Sequence, residues 1–318
     1  MSLGYRVFLH SHFGFNSSST LFFGERDAVL IDAAYLPSDT HKMVAELLLM
    51  RKNLTHIYVS HFHPDHYFGL GVLEYAFPRA KIVALPSVVR DVVFTYAGEA
   101  DVWAIDQYAS GPSKSGAVMP VHAPFKTTTP LPMSKPHLEL EGHEILVSDS
   151  WEGDSVNNSV AWVPSMGVLC AIDVAFHDCN LWPIESNVER RVRWRESISR
   201  LREFDPRVVI PGHFDEKKLR TLEEVSQDTA LTYADCIDWS LRYLDVYDDV
   251  YHMAKNGAEF VKMMTKHYPL EAEDFAIHWQ ARLLFPHSSP NWLTPLPGEP
   301  GKIFLNPAGV FDGDPPKE

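Results

Sequence analysis

Apolar residues in the N-terminal part of the chain fall into short runs rich in Val, Ile, Phe and Tyr, broken by turn-forming links such as Asn16-Ser17-Ser18-Ser19. Residues 5–10, 20–24 and 28–32 therefore read as strands, with antiparallel β structure coming first. Over residues 38–50 the period changes, and Met43, Leu47 and Leu48 share one helical face. Strand and helix then alternate through 57–60, 71–76 and 81–85. A second set of strands reads at 138–140, 144–147, 159–163 and 168–172, followed by a helix over 186–204 and a strand over 207–210. Two groups of strands, each accompanied by helices, predict an α/β fold in which two sheets pack face to face beneath outer helices, an αββα sandwich.

The sandwich is expected to occupy residues 1–215. Within it, 95–135 turns to Gly, Pro, Ser and Thr with Trp103, Tyr108, Met119 and Phe125 scattered through it, a length and composition that suit an ordered loop walling a pocket. Residues 216–285 are helical throughout, with Leu231, Ala234, Ile237, Leu241 and Leu244 on one stripe and Tyr243, Tyr247 and Tyr251 beside it. Such a stripe serves as core or as the contact surface of a homo-oligomer. The prolines and glycines of 286–318 read as an irregular tail.

Chemistry concentrates after one strand. His61-Phe62-His63-Pro64-Asp65-His66 places three imidazoles and a carboxylate directly behind the apolar run Ile57-Tyr58-Val59-Ser60. These groups are ligands for zinc, iron or manganese, and four of them this close would repel and desolvate one another without a cation between them. At strand pitch His61 and His63 share a face, while Pro64 turns the chain so that Asp65 and His66 approach from a second side, which suits two neighbouring metals. Further along, Asp173 closes the apolar run 168–172 and His213 closes 208–212, so each stands at the end of a buried strand.

Taken together, these residues resemble the metallo-β-lactamase-fold superfamily of metallohydrolases. Leu30-Ile31-Asp32 is similar to its early strand with a terminal Asp, His61 to His66 to its HxHxDH signature, Ala171-Ile172-Asp173 to its bridging-Asp strand, and Pro211-Gly212-His213 to its last ligand. The resemblance covers most of the chain. It implies a four-layer αββα sandwich of the metallo-β-lactamase type, here with added C-terminal helices, and two divalent ions. By the same resemblance His61 and His63 belong to one ion, Asp65, His66 and His213 to the other, and Asp173 to both. One departure stands out. The superfamily usually takes a third His for the first ion from a Gly-His-Ser/Thr turn, whereas this chain reads Ser150-Trp151-Glu152-Gly153-Asp154-Ser155. Aligning the strand that follows puts Glu152 in that position, with Asp154 as its rival. His143 follows Glu141-Gly142 in a hairpin-turn pattern and reads as a surface residue.

The implied chemistry is metal-assisted hydrolysis of a small-molecule ester, lactone, lactam or thioester, by a water ionised between the two ions with Asp65 holding it and helping take its proton. Zinc ranks first, with iron or manganese as alternatives. A carboxylate at the Glu152 position also resembles diiron oxidoreductase members, which makes redox chemistry the alternative reading and a non-catalytic metal-binding sensor the third. The segment after Asp173 offers His177 or Asn180 as donors to a developing oxyanion and Trp182 as an apolar wall.

Charge narrows the partners. Forty-two acidic against 28 basic residues give a formal net charge of −14, which would repel nucleic acid and anionic membrane and leaves a small molecule as the expected partner. Three cysteines without a pairing pattern suit a reducing compartment. The N-terminal residues lack a basic stretch followed by an apolar core, and no apolar run is long enough to span a bilayer, so a cytoplasmic enzyme is expected.

Overall fold

The computed structural model describes residues 3–99, 129–131, 136–214, 233–269 and 275–286. Most of the expected pocket loop and nearly all of the expected tail lie outside these residues. Strands β1 (Gly4–Leu9), β2 (Ser18–Phe23) and β3 (Asp27–Ile31) form an antiparallel meander. Helix α1 (Pro37–Met50) then carries the chain to β4 (Asn53–Val59), which pairs in parallel with β3. Beyond β4 come the single turn α2 (Pro64–Tyr67), α3 (Leu70–Ala76), β5 (Lys81–Ala84), α4 (Pro86–Glu99) and β6 (Thr129–Pro130), completing a sheet in the order β1 to β6. Residues 95–99 therefore belong to a helix and not to a loop. The reason is a buried face, since Val88, Val92 and Thr95 recur at helical spacing.

The second sheet contains β7 (His137–Leu140), β8 (His143–Trp151), β9 (Asn158–Val163), β10 (Val168–His177) and β11 (Val208–Phe214), in the order β11-β10-β9-β8-β7. Only β10 and β11 pair in parallel, and α5 (Val188–Arg200) makes the crossover that a parallel pair needs. Every residue of β10 is buried because both faces of this sheet are covered. Val168, Cys170 and Ile172 pack into the core between the sheets with Leu30 and Ile57, whereas Leu169 and Ala171 pack outward against Trp194 and Ile198 of α5. This is the period of two expected of a strand.

Of the helical stripe, Ile237 and Leu244 are covered within the chain and Leu241 is partly covered, whereas Leu231 and the Ala234 side chain lie outside what the structure describes. In α6 (Tyr233–Met253), Ile237, Tyr243, Leu244 and Tyr247 are fully buried in the outer core beside Trp194. Helices α7 (Gly257–His267) and α8 (Phe275–Leu284) close the same core with Phe260, Met264 and Ile277. No helix among the described residues is long and apolar enough to cross a membrane.

Parallel pairing fixes where chemistry can gather. Strands β3 and β4 of one sheet and β10 and β11 of the other end at one edge of the sandwich. There the Ser18 hydroxyl donates to the Pro211 carbonyl at 2.8 Å and Ser17 bridges to His213, joining the sheets.

Candidate metal centre

The six-residue cluster lies just past β4, which ends at Val59, so His61 and His63 do not share a strand face as the spacing suggested. They sit in the connection to α2, where Pro64 takes the first helical position and places Asp65 and His66 on one tight turn. Asp173 arrives from β10 by a different device. Ile172 has φ of 52°, a left-handed conformation that a β-branched residue rarely adopts, and the β10–β11 register shifts there. Opposite it, a Cβ on Gly212 would stand 1.8 Å from Asp173 Oδ1, so a glycine is required for the carboxylate to reach the site.

The side chains converge in two sets. One oxygen or nitrogen from each of His61, His63, Asp154 and Asp173 lies within 4.8 Å of the others, and the same holds for Asp65, His66 and His213. Asp173 faces both, with Oδ1 at 3.3 Å from His66 Nε2 and Oδ2 at 3.1 Å from His213 Nε2 and 3.7 Å from His61 Nε2. Asp65 Oδ2 stands 3.3 Å from His213 Nε2 and 3.5 Å from His66 Nε2. All seven side chains are buried.

Each imidazole keeps one nitrogen for the cluster and commits the other to a partner outside it. His66 Nδ1 donates to Asp32 at 2.8 Å, and His213 Nδ1 to the Phe15 carbonyl at 2.8 Å. The Ser60 hydroxyl gives its proton to Asp32 at 2.8 Å, so at the 3.0 Å contact between Ser60 Oγ and His61 Nδ1 the ring is the donor. His63 turns Nε2 toward Glu185, 3.3 and 3.4 Å from its two oxygens. The inward atoms are thus Nε2 of His61, His66 and His213 and Nδ1 of His63. Buried His61 Nε2, His66 Nε2 and Asp173 Oδ1 make no hydrogen bond. Aligned lone pairs, outer nitrogens fixed by acceptors and buried unsatisfied atoms fit divalent metal ions.

The first set contains Asp154 and not Glu152, which corrects the alignment made from sequence. Glu152 points the other way and forms ion pairs with Arg190 and, at 3.3 Å, Arg193. Asp154 instead approaches His63 Nδ1 to 2.8 Å and His61 Nε2 to 3.9 Å.

A family model described as the metallo-beta-lactamase superfamily matches residues 12–89, the stretch holding the six-residue cluster. Among solved structures, the metallo-beta-lactamase family protein TTHA1429 from Thermus thermophilus superposes with a TM-score of 0.56 at 16% identity, covering 86% of this chain and 91% of that one. Metallo-beta-lactamase IND-7 gives a TM-score of 0.51 at 17% identity over 76% of this chain and 93% of its own. No curated protein sequence matches. The chain thus has the metallo-β-lactamase fold, and its residues 12–89 match that superfamily's model.

In this metallo-β-lactamase-fold protein the interleaved charges shift one another strongly. Burial opposes protonation of His66, but Asp173, Asp65 and Asp32 outweigh it and hold the imidazole well above its ordinary range. His213 is pushed up to about 9 in the same way, burial being overcome mainly by Asp173. Burial, reinforced by Asp173 against the pull of His63, raises Asp154 to about 7. His61, with burial and His66 both against a charge, is held well below the ordinary range. A cation entering such a set competes with protons for the same lone pairs.

A cleft opens over the cluster, lined by Phe15, Phe176, Asn180 and Trp182 among others. Asn180 and Trp182, the candidate oxyanion donor and apolar wall, are among its lining residues. His177 is not among the lining residues and packs its ring against Trp239. Among the polar groups that hold the imidazoles, three side chains carry no site assignment from sequence. Asp32 was recognised only as a strand end, though a buried acid at the close of an inner strand is a usable signal. Ser60 carried none beyond adjacency to His61. Glu185 carried none, since it lies in an irregular segment whose path the sequence does not display.

Proposed function

We propose that this protein is a metal-dependent hydrolase of a small-molecule ester, lactone, lactam or thioester, with two divalent ions as cofactor. The observation that carries this reading is the orientation of the four imidazoles, each with its outer nitrogen held and its inner one aimed into a carboxylate-lined pocket. One ion would be held by His61, His63 and Asp154, the other by Asp65, His66 and His213, with Asp173 serving both. When bound, such ions supply Lewis acidity and a water ionised near neutral pH.

The chain's own groups supply the rest. Asp65, which lines the cleft, would orient the attacking water and accept its proton. Asn180 lines the cleft with its amide oxygen accepting from the Tyr243 hydroxyl at 2.8 Å, and its amide nitrogen would donate to a developing oxyanion. Phe15, Phe176 and Trp182 offer apolar walls, and no Lys or Arg lines the cleft among the described residues, which supports a substrate uncharged beside the scissile bond. Zinc is the first choice of metal. Three carboxylates in place of two harden the ligand set and favour tolerance of iron or manganese.

The test is elemental analysis of freshly purified protein, paired with a panel of lactones, esters, β-lactams and thioesters. We expect close to two ions per chain and a hydrolytic activity that rises with pH near neutrality and disappears on chelation. Protein that holds no transition metal and is indifferent to chelators would overturn the metal assignment. A coloured protein that consumes oxygen and hydrolyses nothing would replace hydrolysis with redox chemistry.

A further inference from the structure

Glu185 is a buried carboxylate that belongs to neither ligand set, yet contacts end on it from three sides. It closes a short 3-10 turn, Pro183–Glu185, between β10 and α5. Its oxygens face His63 Nε2, and Oε1 also accepts from Trp182 Nε1 at 3.0 Å. Its backbone carbonyl accepts from Arg190 Nη1, while Arg190 Nε pairs with Glu152. Glu152 is separated from Asp154 by Gly153 alone, and Asp154 returns to the other nitrogen of His63 at 2.8 Å. The contacts therefore close a ring running His63, Glu185, Arg190, Glu152, Asp154 and back to His63. The residue expected from sequence to bind metal is the outer brace of the residue that faces the site.

From this closed path we propose that Glu185, braced by Arg190 and Glu152, is the positioning residue of the first metal site, fixing the ring of His63 so that Nδ1 faces the ion. The other three imidazoles present Nε2. His63 alone is reversed, and a ring free to rotate about its Cβ–Cγ bond would offer either nitrogen. An anionic acceptor behind Nε2 keeps the proton on that nitrogen, leaves the lone pair on Nδ1 and raises its basicity as a ligand. Arg190 sets the spacing between the Glu185 turn and the Asp154 turn, so two ligands of one ion are held by a single guanidinium that touches neither.

This inference rests on the metal reading given above, and its test separates the two. Cobalt(II) is titrated into metal-free wild type, Glu185→Gln, Glu185→Ala and Arg190→Gln, following the visible absorption of the bound ion and its affinity by chelator competition. For Glu185→Ala we expect first-ion affinity to fall by about 10- to 100-fold, with a changed absorption band and the second ion retained. Glu185→Gln, which keeps an acceptor but loses the charge, should fall between Ala and wild type. Arg190→Gln should weaken the first ion while Glu185 itself is intact. A role in folding alone would lower the melting temperature of the metal-free protein without selecting one ion, so that temperature is measured for every variant. Wild type that binds no cobalt would overturn the metal reading itself. Wild type that binds two ions, beside a folded Glu185→Ala with unchanged affinities and spectrum, would overturn the positioning role alone.

Discussion

Asp154 reaches His63 because of how one glycine lies. Gly153 packs so closely on β10 that a Cβ there would stand 2.7 Å from the Asp173 carbonyl, and the Asp154 amide donates to that carbonyl at 3.3 Å. Pinned to the strand, the turn sends Asp154 inward and leaves Glu152 on the side of Arg190 and Arg193. Asp154→Ala should therefore leave about one ion per chain by elemental analysis. Glu152→Ala should retain both with weakened hold on the first, and full retention by Asp154→Ala would exclude it as a ligand. The residues of the six-residue cluster, Asp173 and His213 were legible because each ends an apolar run, a pattern that survives without knowledge of the fold. The choice between Glu152 and Asp154 was not, because it depends on two arginines of α5 that lie 38 and 41 residues away in sequence. Glu185 was hidden because its partner His63 lies 122 residues away and its own segment is irregular.

At the scale of elements, the inner strands read well where continuous burial leaves a continuous apolar run, as in β10 and in Ile57, Tyr58 and Val59 at the end of β4. Their ends read less well. Residues 168–172 stand out as a strand, yet β10 runs on to His177, since the kink at Ile172 breaks the alternation and α6 takes over the backbone. The Ser240 hydroxyl of α6 donates to the Phe176 carbonyl at 3.0 Å and accepts from the Phe176 amide at 2.9 Å. The turn at Glu141-Gly142, with φ of 48° and 83°, has the two left-handed residues of a tight hairpin. It does more than reverse the chain. The Glu141 carboxylate accepts from the amides of Glu25, Arg26 and Asp27 at 2.7 to 2.9 Å and so clips the β7–β8 hairpin to the β2–β3 turn. Those amides lower its pKa from 4.5 to about 2. A depressed carboxylate stabilises the folded state above its unfolded pKa and loses that contribution as pH falls through the folded value. Glu141→Gln should thus melt below wild type at pH 7, and the two should converge as pH falls from about 4.5 toward 2. A gap in melting temperature that is constant with pH would show that the carboxylate's charge plays no part.

For the molecule as a whole, the helices after β11 are fastened to the sandwich through charge as well as apolar contact. Arg191 of α5 is buried, pairs with Asp248 of α6 at 2.6 Å, donates to the Ser186 carbonyl and lies 5.3 Å over the ring of Tyr247. Arg195 reaches Asp245 at 2.8 Å and Asp248 at 2.6 Å, and Arg202 reaches Asp238 at 2.8 Å. The helices also furnish the cleft, since Tyr243 holds Asn180 and Gln280 donates to the Leu181 carbonyl at 2.8 Å. Helices and sheet share one core through Trp194, Ile237 and Leu244, so they should unfold together. Denaturant unfolding of metal-free protein is then expected to give one transition, coincident by fluorescence and circular dichroism. Position along the seam decides how much each ion pair matters. Arg202 and Asp238 are about half exposed, and Arg202→Ala should cost at most about 1 kcal/mol. Arg191 is 1% exposed, so Arg191→Ala strands a largely buried Asp248 with Arg195 as its remaining partner and should cost about 3 kcal/mol. The whole transition should move to lower denaturant without splitting. Two separated transitions in wild type, or in Arg191→Ala, would mean that the helical layer folds independently of the sheet it covers.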